Sequence, residues 1–440
     1  MQKNLIIYLF LIIGLAMVSC KREEDNLFGQ SAAERKQQVK AAVIEQLTHA
    51  TNGWEMLYFP TKEQAGYAFL MSFNADGTAV IAAKNDVSCI GHLYKEEMSL
   101  WDMDFTQSVT LTFNSFNPLL HAFSDPQDDG IGYSGDYEFV VMEPRTADRL
   151  IFKGKKTNTY IYLNRFPEGN DWEDYFQKID DYNWITLCGN NDGELIENDD
   201  EYLYRGGDSI FTMTLKNGVF TYKNPNDKPL GIIFTPTGIH FNQSTPNSLG
   251  IDAVDFILNE DSSRLVCKAD PSIFFVPKYV GVGYYQQKIS NGKVRWTIFD
   301  EYTDTDTKNA LNNIVKDMDD NGANISRFAL TQLRSGKDSM IVLLIDYSVE
   351  GYLQQSALVL EQQIDTEHNT VTYTLPETPL GVNMQPLIDR DENIINRLAA
   401  IFCDTFTIQT HISNINQTQL LLVSSSKEGK QLQIVASPTL

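Results

Sequence analysis

One histidine and four aspartates fall within 16 residues of the sequence: His121, Asp125, Asp128, Asp129 and Asp136. Hard cations such as Ca²⁺ take several oxygen ligands, and the glycines at 130, 132 and 135 would let a loop wrap around an ion. These five side chains are therefore candidate metal ligands, with Ca²⁺ as the candidate cation. Acidic glycine-rich loops are more often only solvated, and in that case, which we favour, the chain binds no cofactor.

Two other segments match the sequence motifs of known ligand-binding sites, in whole or in part. Residues 130–135 fit the GxGxxG pattern, but aspartates on both sides would repel a pyrophosphate, and a strand is expected after them. Residues 317–322 fit the first half of an EF-hand loop, but Phe328 stands where a bidentate glutamate is needed. We therefore expect a flexible loop at the first segment and a helix C-terminus at the second.

The sequence lacks the common signatures of hydrolytic catalysis. It contains no HExxH zinc motif and no GxSxG nucleophile elbow. Among 58 acidic residues some carboxylate pair suited to glycoside hydrolysis must occur by chance, so such pairs carry no information. We therefore name no catalytic residue and favour a protein that is not an enzyme.

Cysteine and aromatic residues give weaker signals. Cys89, Cys188, Cys267 and Cys403 are far apart in apolar or strand-like contexts, which favours buried free thiols and leaves disulfide pairing as the alternative. Aromatic residues make up 11% of the chain, and most must fill the core of a β-rich fold. Two or three exposed rings would be enough to form a platform that stacks on sugars.

Short apolar runs separated by turn residues predict the elements that must position these groups. They indicate a β-rich α+β protein whose antiparallel sheets form meanders or barrels, with a few packed helices in two domains. Hairpin turns are expected at 74–77, 216–218 and 236–238, and helices at 31–50, 170–182, 307–320 and 391–402. The proline-flanked segment 270–278 divides an N-terminal β-rich domain (31–275) from a C-terminal α+β domain (276–440).

The first 25 residues predict the location of the protein. The apolar run Leu5–Val18 follows Lys3 and, at about 1.5 Å per helical residue, is too short for a bilayer core of about 30 Å. This is typical of a cleaved export signal, here residues 1–19, and the Ser-Cys ending resembles a bacterial lipobox in which Cys20 carries lipid. Within the acidic tether 20–30, the charged residues 21–25 resemble the basic-then-acidic signal that sends lipoproteins to the outer face of the outer membrane; a tether that is merely solvated is the alternative.

The overall charge of the protein limits the kinds of partner that it can bind. The formal net charge is −23, so the protein repels phosphate backbones, and we expect no nucleic-acid partner. Charge repulsion also keeps the body of the protein off an anionic membrane surface, so that anchoring depends on the lipid at Cys20.

Several stretches together resemble a known family. They are the helix leading into residues 52–54, the segments 113–125 and 132–139, the helix 170–182 and the closing segment 398–407. The chain is similar to a domain-of-unknown-function lipoprotein family of Bacteroidota, often encoded beside SusC/SusD-type uptake systems. The resemblance implies a surface lipoprotein accessory to nutrient uptake, and it offers no catalytic residue.

These observations favour an outer-membrane surface lipoprotein that serves as a non-catalytic ligand-binding or assembly accessory of a nutrient-uptake system. Its expected partners are the lipid anchor and SusC/SusD-like transporter components. Two alternatives stay open. One is a surface hydrolase that uses an acidic pair or a metal in the His121–Asp136 loop, and the other is a structural or adhesive surface protein.

Overall fold

Three antiparallel β-barrels of eight strands each follow one another along the chain. The computed structural model describes residues 30–61, 63–105, 107–125, 132–186, 200–216, 218–222, 228–260, 263–290, 294–335, 338–378, 381–410 and 419–438. The expected β-rich class with barrel-like antiparallel sheets is confirmed. Signal residues 1–19 and Cys20 lie outside the described residues.

Helix α1 (Ala32–Thr48) begins at the capping box that the sequence predicts. The backbone N–H of Glu34 donates to Ser31 Oγ at 3.2 Å, and the N–H of Ser31 donates to Glu34 Oε2 at 2.8 Å, so that two otherwise unpaired donors are satisfied. Val43 and Leu47 are fully buried and hold the helix against the first barrel.

The first barrel is a meander in which each strand pairs with the next and β8 returns to β1. Its strands are β1 (Trp54–Tyr58), β2 (Tyr67–Phe73), β3 (Thr78–Ala83), β4 (Lys95–Asp104), β5 (Thr110–Phe113), β6 (Glu138–Thr146), β7 (Arg149–Gly154) and β8 (Tyr160–Arg165). A 3₁₀ turn (Ile90–His92) precedes β4, and the short helix α2 (Pro118–His121) follows β5. Large buried side chains such as Trp54, Phe69 and Phe139 fill the interior, so the barrel is a packed core and has no channel.

Helix α3 (Trp172–Thr186) connects the first barrel to the second. The N–H of Asp174 donates to Asp171 Oδ1 at 2.9 Å, as expected for a cap at the start of this helix. Tyr175 and Phe176 pack on Leu70 and Ala82 of the first barrel.

The second barrel is also a meander, closed between β16 and β9. Its strands are β9 (Asp200–Gly206), β10 (Ser209–Lys216), β11 (Val219–Tyr222), β12 (Leu230–Thr235), β13 (Gly238–Phe241), β14 (Asp255–Leu258), β15 (Leu265–Cys267) and β16 (Phe274–Pro277). Strand β16 lies inside the segment 270–278 and pairs with β9, so this segment forms the last strand of the barrel.

The third barrel joins distant parts of the chain, because its first strand pairs with its last. Its strands are β17 (Val294–Phe299), β18 (Asn324–Ser335), β19 (Asp338–Val349), β20 (Tyr352–Asp365), β21 (Thr370–Thr374), β23 (Thr405–Thr410), β24 (Gln419–Ser424) and β25 (Gln431–Pro438), with β22 (Gly381–Val382) added beside β20. Its helices are α4 (Val282–Ser290), α5 (Thr305–Asp320), α6 (Gln385–Ile388) and α7 (Ile394–Phe402).

The predicted hairpins are confirmed at all three turns, since β2–β3, β10–β11 and β12–β13 are paired neighbours. The predicted helices correspond to α1, α3, α5 and α7, with ends that shift by a few residues. Among the described helices, none is both long and apolar enough to cross a bilayer.

Candidate functional site

A cleft of about 610 Å³ lies where the first barrel, helix α3 and strand β12 meet. Its volume falls within the range of about 300–1,000 Å³ that is usual for small-molecule sites. The apolar and aromatic part of its lining consists of Ala65, Tyr67, Ala68, Tyr133, Phe176, Ile179, Val219, Ile232, Ile233 and Phe234. The polar part consists of Glu63, Gln64, Lys84, Asn85, Asp86, His92 and Asp180.

Main-chain and apolar contacts between the two barrels form one side of the cleft. The N–H of Gly66 donates to the carbonyl of Ile232 at 2.9 Å. Ile233 packs on Leu57 and Phe59 in one buried cluster. Gly231 permits this close approach, because a Cβ at that position would lie 2.0 Å from the carbonyl oxygen of Gln64.

A charged clasp ties helix α3 to the loop after β3. Lys84 Nζ forms an ion pair with Asp180 Oδ2, and His92 Nε2 lies 3.3 Å from Asp180 Oδ1. Burial acts to raise the pKa of Asp180, but hydrogen bonds from His92 and Lys84 and their charges outweigh it and hold the pKa below its ordinary value. Asp180 is therefore ionised at neutral pH and keeps both partners at the cleft.

Asn85 has an amide donor without a partner at the wall of the cleft. Its Oδ1 accepts from the N–H of Val87 at 3.0 Å and from the N–H and hydroxyl of Ser88 at 2.8 and 3.1 Å. These three contacts fix the amide orientation, and Nδ2 is buried with no hydrogen-bond partner among the residues that the structure describes. The residue is only 5% exposed, and an amide donor buried in this way is costly.

Two tyrosine rings in the cleft rest on one buried phenylalanine. Phe123 is fully buried, and its ring centroid lies 4.6 Å from that of Tyr67 and 5.7 Å from that of Tyr133. Burial, the charge of Asp86 and the Tyr133 hydroxyl raise the pKa of Tyr67 above its ordinary value. The Tyr67 hydroxyl therefore stays protonated and can both donate and accept a hydrogen bond.

The residues predicted as metal ligands have other partners where the structure describes them. Asp136 is 5% exposed, and its carboxylate accepts from the N–H groups of Lys156 and Thr157 and from the Thr157 hydroxyl at 2.7–3.1 Å. His121 stacks on Tyr137 with ring centroids 4.6 Å apart, and the N–H of Asn117 lies 3.1 Å from its Nδ1.

The remaining members of that set do not complete a metal site. Asp125 is exposed, and Asp128 and Asp129 lie outside the described residues. Across the described parts of the chain, no group of three histidine, cysteine, aspartate or glutamate side chains is placed to hold a metal ion. Nothing in the described part of this loop therefore supports the prediction of a bound cation.

Other motifs have structural explanations. The EF-hand-like segment is the C-terminal end of α5, as expected: Asn321 caps the helix and Asp317 pairs with Arg397 at 2.8 Å. Cys89, Cys267 and Cys403 are free thiols, while Cys188 lies outside the described residues.

No sequence pattern indicated the cleft residues Lys84, Asn85, His92 and Asp180. Asn85 and Asp180 lie 95 positions apart, and no local pattern joins them. The segment Lys84–Asp86, where three polar residues follow a buried strand, is the one signal that could have marked this end of the barrel.

Comparison with known proteins identifies a family match over half of the chain. The profile of a domain of unknown function (DUF4302) matches residues 24–252. No curated protein matches the chain.

Solved structures give a weaker likeness. The DNA polymerase III β subunit of Thermotoga maritima is 8% identical, with 92% of this chain and 98% of that chain covered and a TM-score of 0.14. A DnaN sliding clamp from Bartonella birtlesii is 12% identical, with the same coverage and a TM-score of 0.13. Scores this low carry no argument about fold or function.

Proposed function

This chain belongs to the DUF4302 family of domains of unknown function, and from that premise we propose that it is a non-catalytic binding protein whose ligand occupies the cleft between the first two barrels. The observation that carries the proposal is the cleft of about 610 Å³ itself, which combines apolar and aromatic walls with a few polar side chains that have defined partners. Sites of this volume and lining are typical of small-molecule binding.

The position of the cleft within the family match supports the proposal. Every residue that lines the cleft falls between Glu63 and Phe234, inside the matched range 24–252. The third barrel lies outside that range. A site common to the family would therefore be built from the first two barrels.

The construction of the cleft also supports binding. The Gly66–Ile232 hydrogen bond fixes one side, and the clasp of Asp180 with Lys84 and His92 fixes another. A site whose walls are already ordered loses little conformational entropy when the ligand arrives, so more of the interaction energy appears as affinity.

The proposed location follows from the sequence. We propose that Cys20 carries lipid and holds the protein on the outer face of the outer membrane, as an accessory of a nutrient-uptake system with SusC/SusD-like components. The described chain begins at Gln30, and α1 packs directly on the first barrel. In this arrangement the barrel that forms the cleft is also the barrel nearest the anchor.

Ligand capture with a blocked variant tests the binding function. Immobilised protein is incubated with a small-molecule extract of its own growth medium, and retained compounds are identified by mass spectrometry. Ile179→Trp places a larger side chain on the cleft side of α3 and should abolish retention. The matched control is Leu353→Trp, at a position in the third barrel that is 85% exposed.

Two results would contradict the proposal. Equal retention by wild type, Ile179→Trp and Leu353→Trp would show that the cleft does not bind the ligand. For the location, a mature protein from native membranes whose N-terminal peptide begins at Met1 without lipid would exclude the anchor at Cys20.

A further inference from the structure

A short segment beside the cleft is attached firmly at its two ends. Just before it, the side chain of Asn85 accepts hydrogen bonds from two backbone N–H groups and one hydroxyl and so fixes the chain that leads into the segment. Just after it, Tyr94 packs on Phe176 of α3, with the ring centroids 5.8 Å apart, in one apolar cluster. Residues Cys89–Leu93 span the interval between these two attachments, and we call this segment the flap.

The middle of the flap is little buried. Ile90 and Leu93 are 85% and 65% exposed although both are large apolar residues, and Gly91 is exposed as well. Within the flap, the N–H of His92 donates to the carbonyl of Cys89 at 3.0 Å. Segments with so few buried apolar contacts open at a lower cost in free energy than the core of the same protein.

The backbone at the centre of the flap has an unfavourable conformation. Gly91 has a φ of 70° and His92 has a φ of 53°, so two successive residues are in the left-handed region. Glycine adopts this region freely, whereas a residue with a Cβ does so at a cost. Contacts made by the His92 side chain must therefore help to hold it there. Residues strained in this way are concentrated at binding sites and switch regions.

The contact that holds His92 lies at the cleft. Its Nε2 is 3.3 Å from Oδ1 of Asp180 on α3, and both side chains line the cleft. In the part of the chain that the structure describes, this is the one hydrogen-bond contact from the flap to α3. Asp180 is also paired with Lys84, so its carboxylate stays in position when His92 leaves. The flap can therefore be released without loss of the Lys84–Asp180 pair.

We infer that the flap opens and closes at the edge of the cleft, and that the contact between His92 and Asp180 holds it closed. This inference rests on the binding function proposed above and adds how the site is opened to its ligand. Opening removes the His92 side chain from the lining of the cleft, and closing restores it. A ligand that contacts His92 in the closed form favours closure, because it binds one of the two states more tightly.

Cys89 is a native reporter of this motion. It is the first residue of the flap and is 2% exposed, with its Sγ 3.5 Å from the carbonyl oxygen of Ala83. Opening of the flap brings this thiol into contact with solvent. Cys267 is equally buried but lies in strand β15 of the second barrel, so it becomes accessible only when that barrel unfolds. The two thiols therefore distinguish local opening from global unfolding within one molecule.

Alkylation of the full chain with N-ethylmaleimide at constant pH tests the inference, with each cysteine followed by peptide mass spectrometry. Relative to their rates in the urea-unfolded protein, Cys89 should react faster than Cys267 in wild type. His92→Ala should raise the Cys89 rate about tenfold, as expected for the loss of one hydrogen-bond contact, and leave the Cys267 rate unchanged. His368→Ala, which breaks an exposed pair with Asp365 in the third barrel, is the matched control and should change neither rate.

The outcomes distinguish this inference from the function on which it rests. Equal protection of Cys89 and Cys267 in wild type, or a Cys89 rate that His92→Ala does not raise, would show that the flap does not open by itself. The binding function still stands in that case if Ile179→Trp abolishes ligand retention. If His92→Ala raises both rates equally, Asp180→Ala decides the matter, because it breaks the same contact and leaves the flap sequence intact. A selective increase at Cys89 in that variant supports the flap, and an equal increase at both thiols overturns it.

Discussion

The backbone N–H of Gly66 in the first barrel donates to the backbone carbonyl of Ile232 in the second, at 2.9 Å. This bond joins the two closed sheets beside the buried cluster of Leu57, Phe59 and Ile233. It lies beside Gly231, where the main chains approach most closely. The relative position of the barrels, and with it the width of the cleft, therefore depends on small residues at this junction.

Gly231→Ala should destabilise the protein by about 1–3 kcal/mol, because the new Cβ would lie 2.0 Å from the backbone oxygen of Gln64 and the barrels must move apart. Thermal unfolding measures the loss. Gly283→Ala in α4 is the control, since no atom lies within 4 Å of its added Cβ. Equal midpoints for the two variants would show that the junction is loose.

Asp180→Asn should weaken the clasp and remove a pH dependence. The folded pKa of Asp180 lies below its ordinary value of 3.8, so its stabilising contribution is fully present above that value and is lost as the pH falls through the folded pKa. The side chain is 30% exposed, which limits the contribution to about 1 kcal/mol.

Urea unfolding of wild type and Asp180→Asn over a pH series checks this expectation. The two free energies of unfolding should differ at neutral pH and converge in acid. A constant difference at every pH would mean that the carboxylate charge has no role in the clasp. Asp181→Asn, one position along and exposed, is the control.

Asp136→Ala should cost about 1–3 kcal/mol of stability, because it leaves the buried N–H groups of Lys156 and Thr157 without their acceptor. Asp125→Ala, at an exposed position, should have little effect. Both differences are measured by thermal unfolding with and without Ca²⁺. A midpoint that rises with Ca²⁺ in wild type, and not in either variant, would instead support a cation site in this loop.

Lys430→Ala should destabilise the third barrel by about 3 kcal/mol. The Lys430–Asp404 pair is almost fully enclosed, with 9% and 5% of the side chains exposed and 3.1 Å between Nζ and Oδ2, so its loss leaves a buried carboxylate without its cation. Lys427→Ala, nearby and exposed, should change the free energy of unfolding by less than about 0.5 kcal/mol. Similar losses for both would show that Asp404 is sufficiently held by Ser424 and Ser426.

Helix starts and hairpin turns were predictable because their signals are local in sequence. The Ser31–Glu34 capping box and the turns after Phe73 and Thr235 depend on neighbouring residues, and the structure confirms them. The strand pairs that close the barrels were harder to predict from the sequence, because they join residues far apart in the chain: Trp54 pairs with Arg165, and Val294 pairs with Pro438. Periodicity within a strand carries no information about such distant partners.

The candidate site was predicted least well, for a related reason. The acidic residues around Asp125 were predicted as a site because they are close together in sequence. In the structure Asp136 is instead an acceptor for a turn more than fifteen residues later. Asn85 became noticeable only through the absence of a partner for one atom, which depends on three-dimensional packing.

The closure of the third barrel has a consequence for how the chain can fold during synthesis. The first two barrels are complete once Arg165 and Pro277 have left the ribosome, since their strands pair in chain order. The third barrel must wait for the final strand, because β17 finds its second neighbour in β25. Deletion of strand β25 (Gln431–Pro438) would thus leave a protein with two complete barrels and an intact cleft. Its C-terminal sheet would stay unclosed and prone to aggregation.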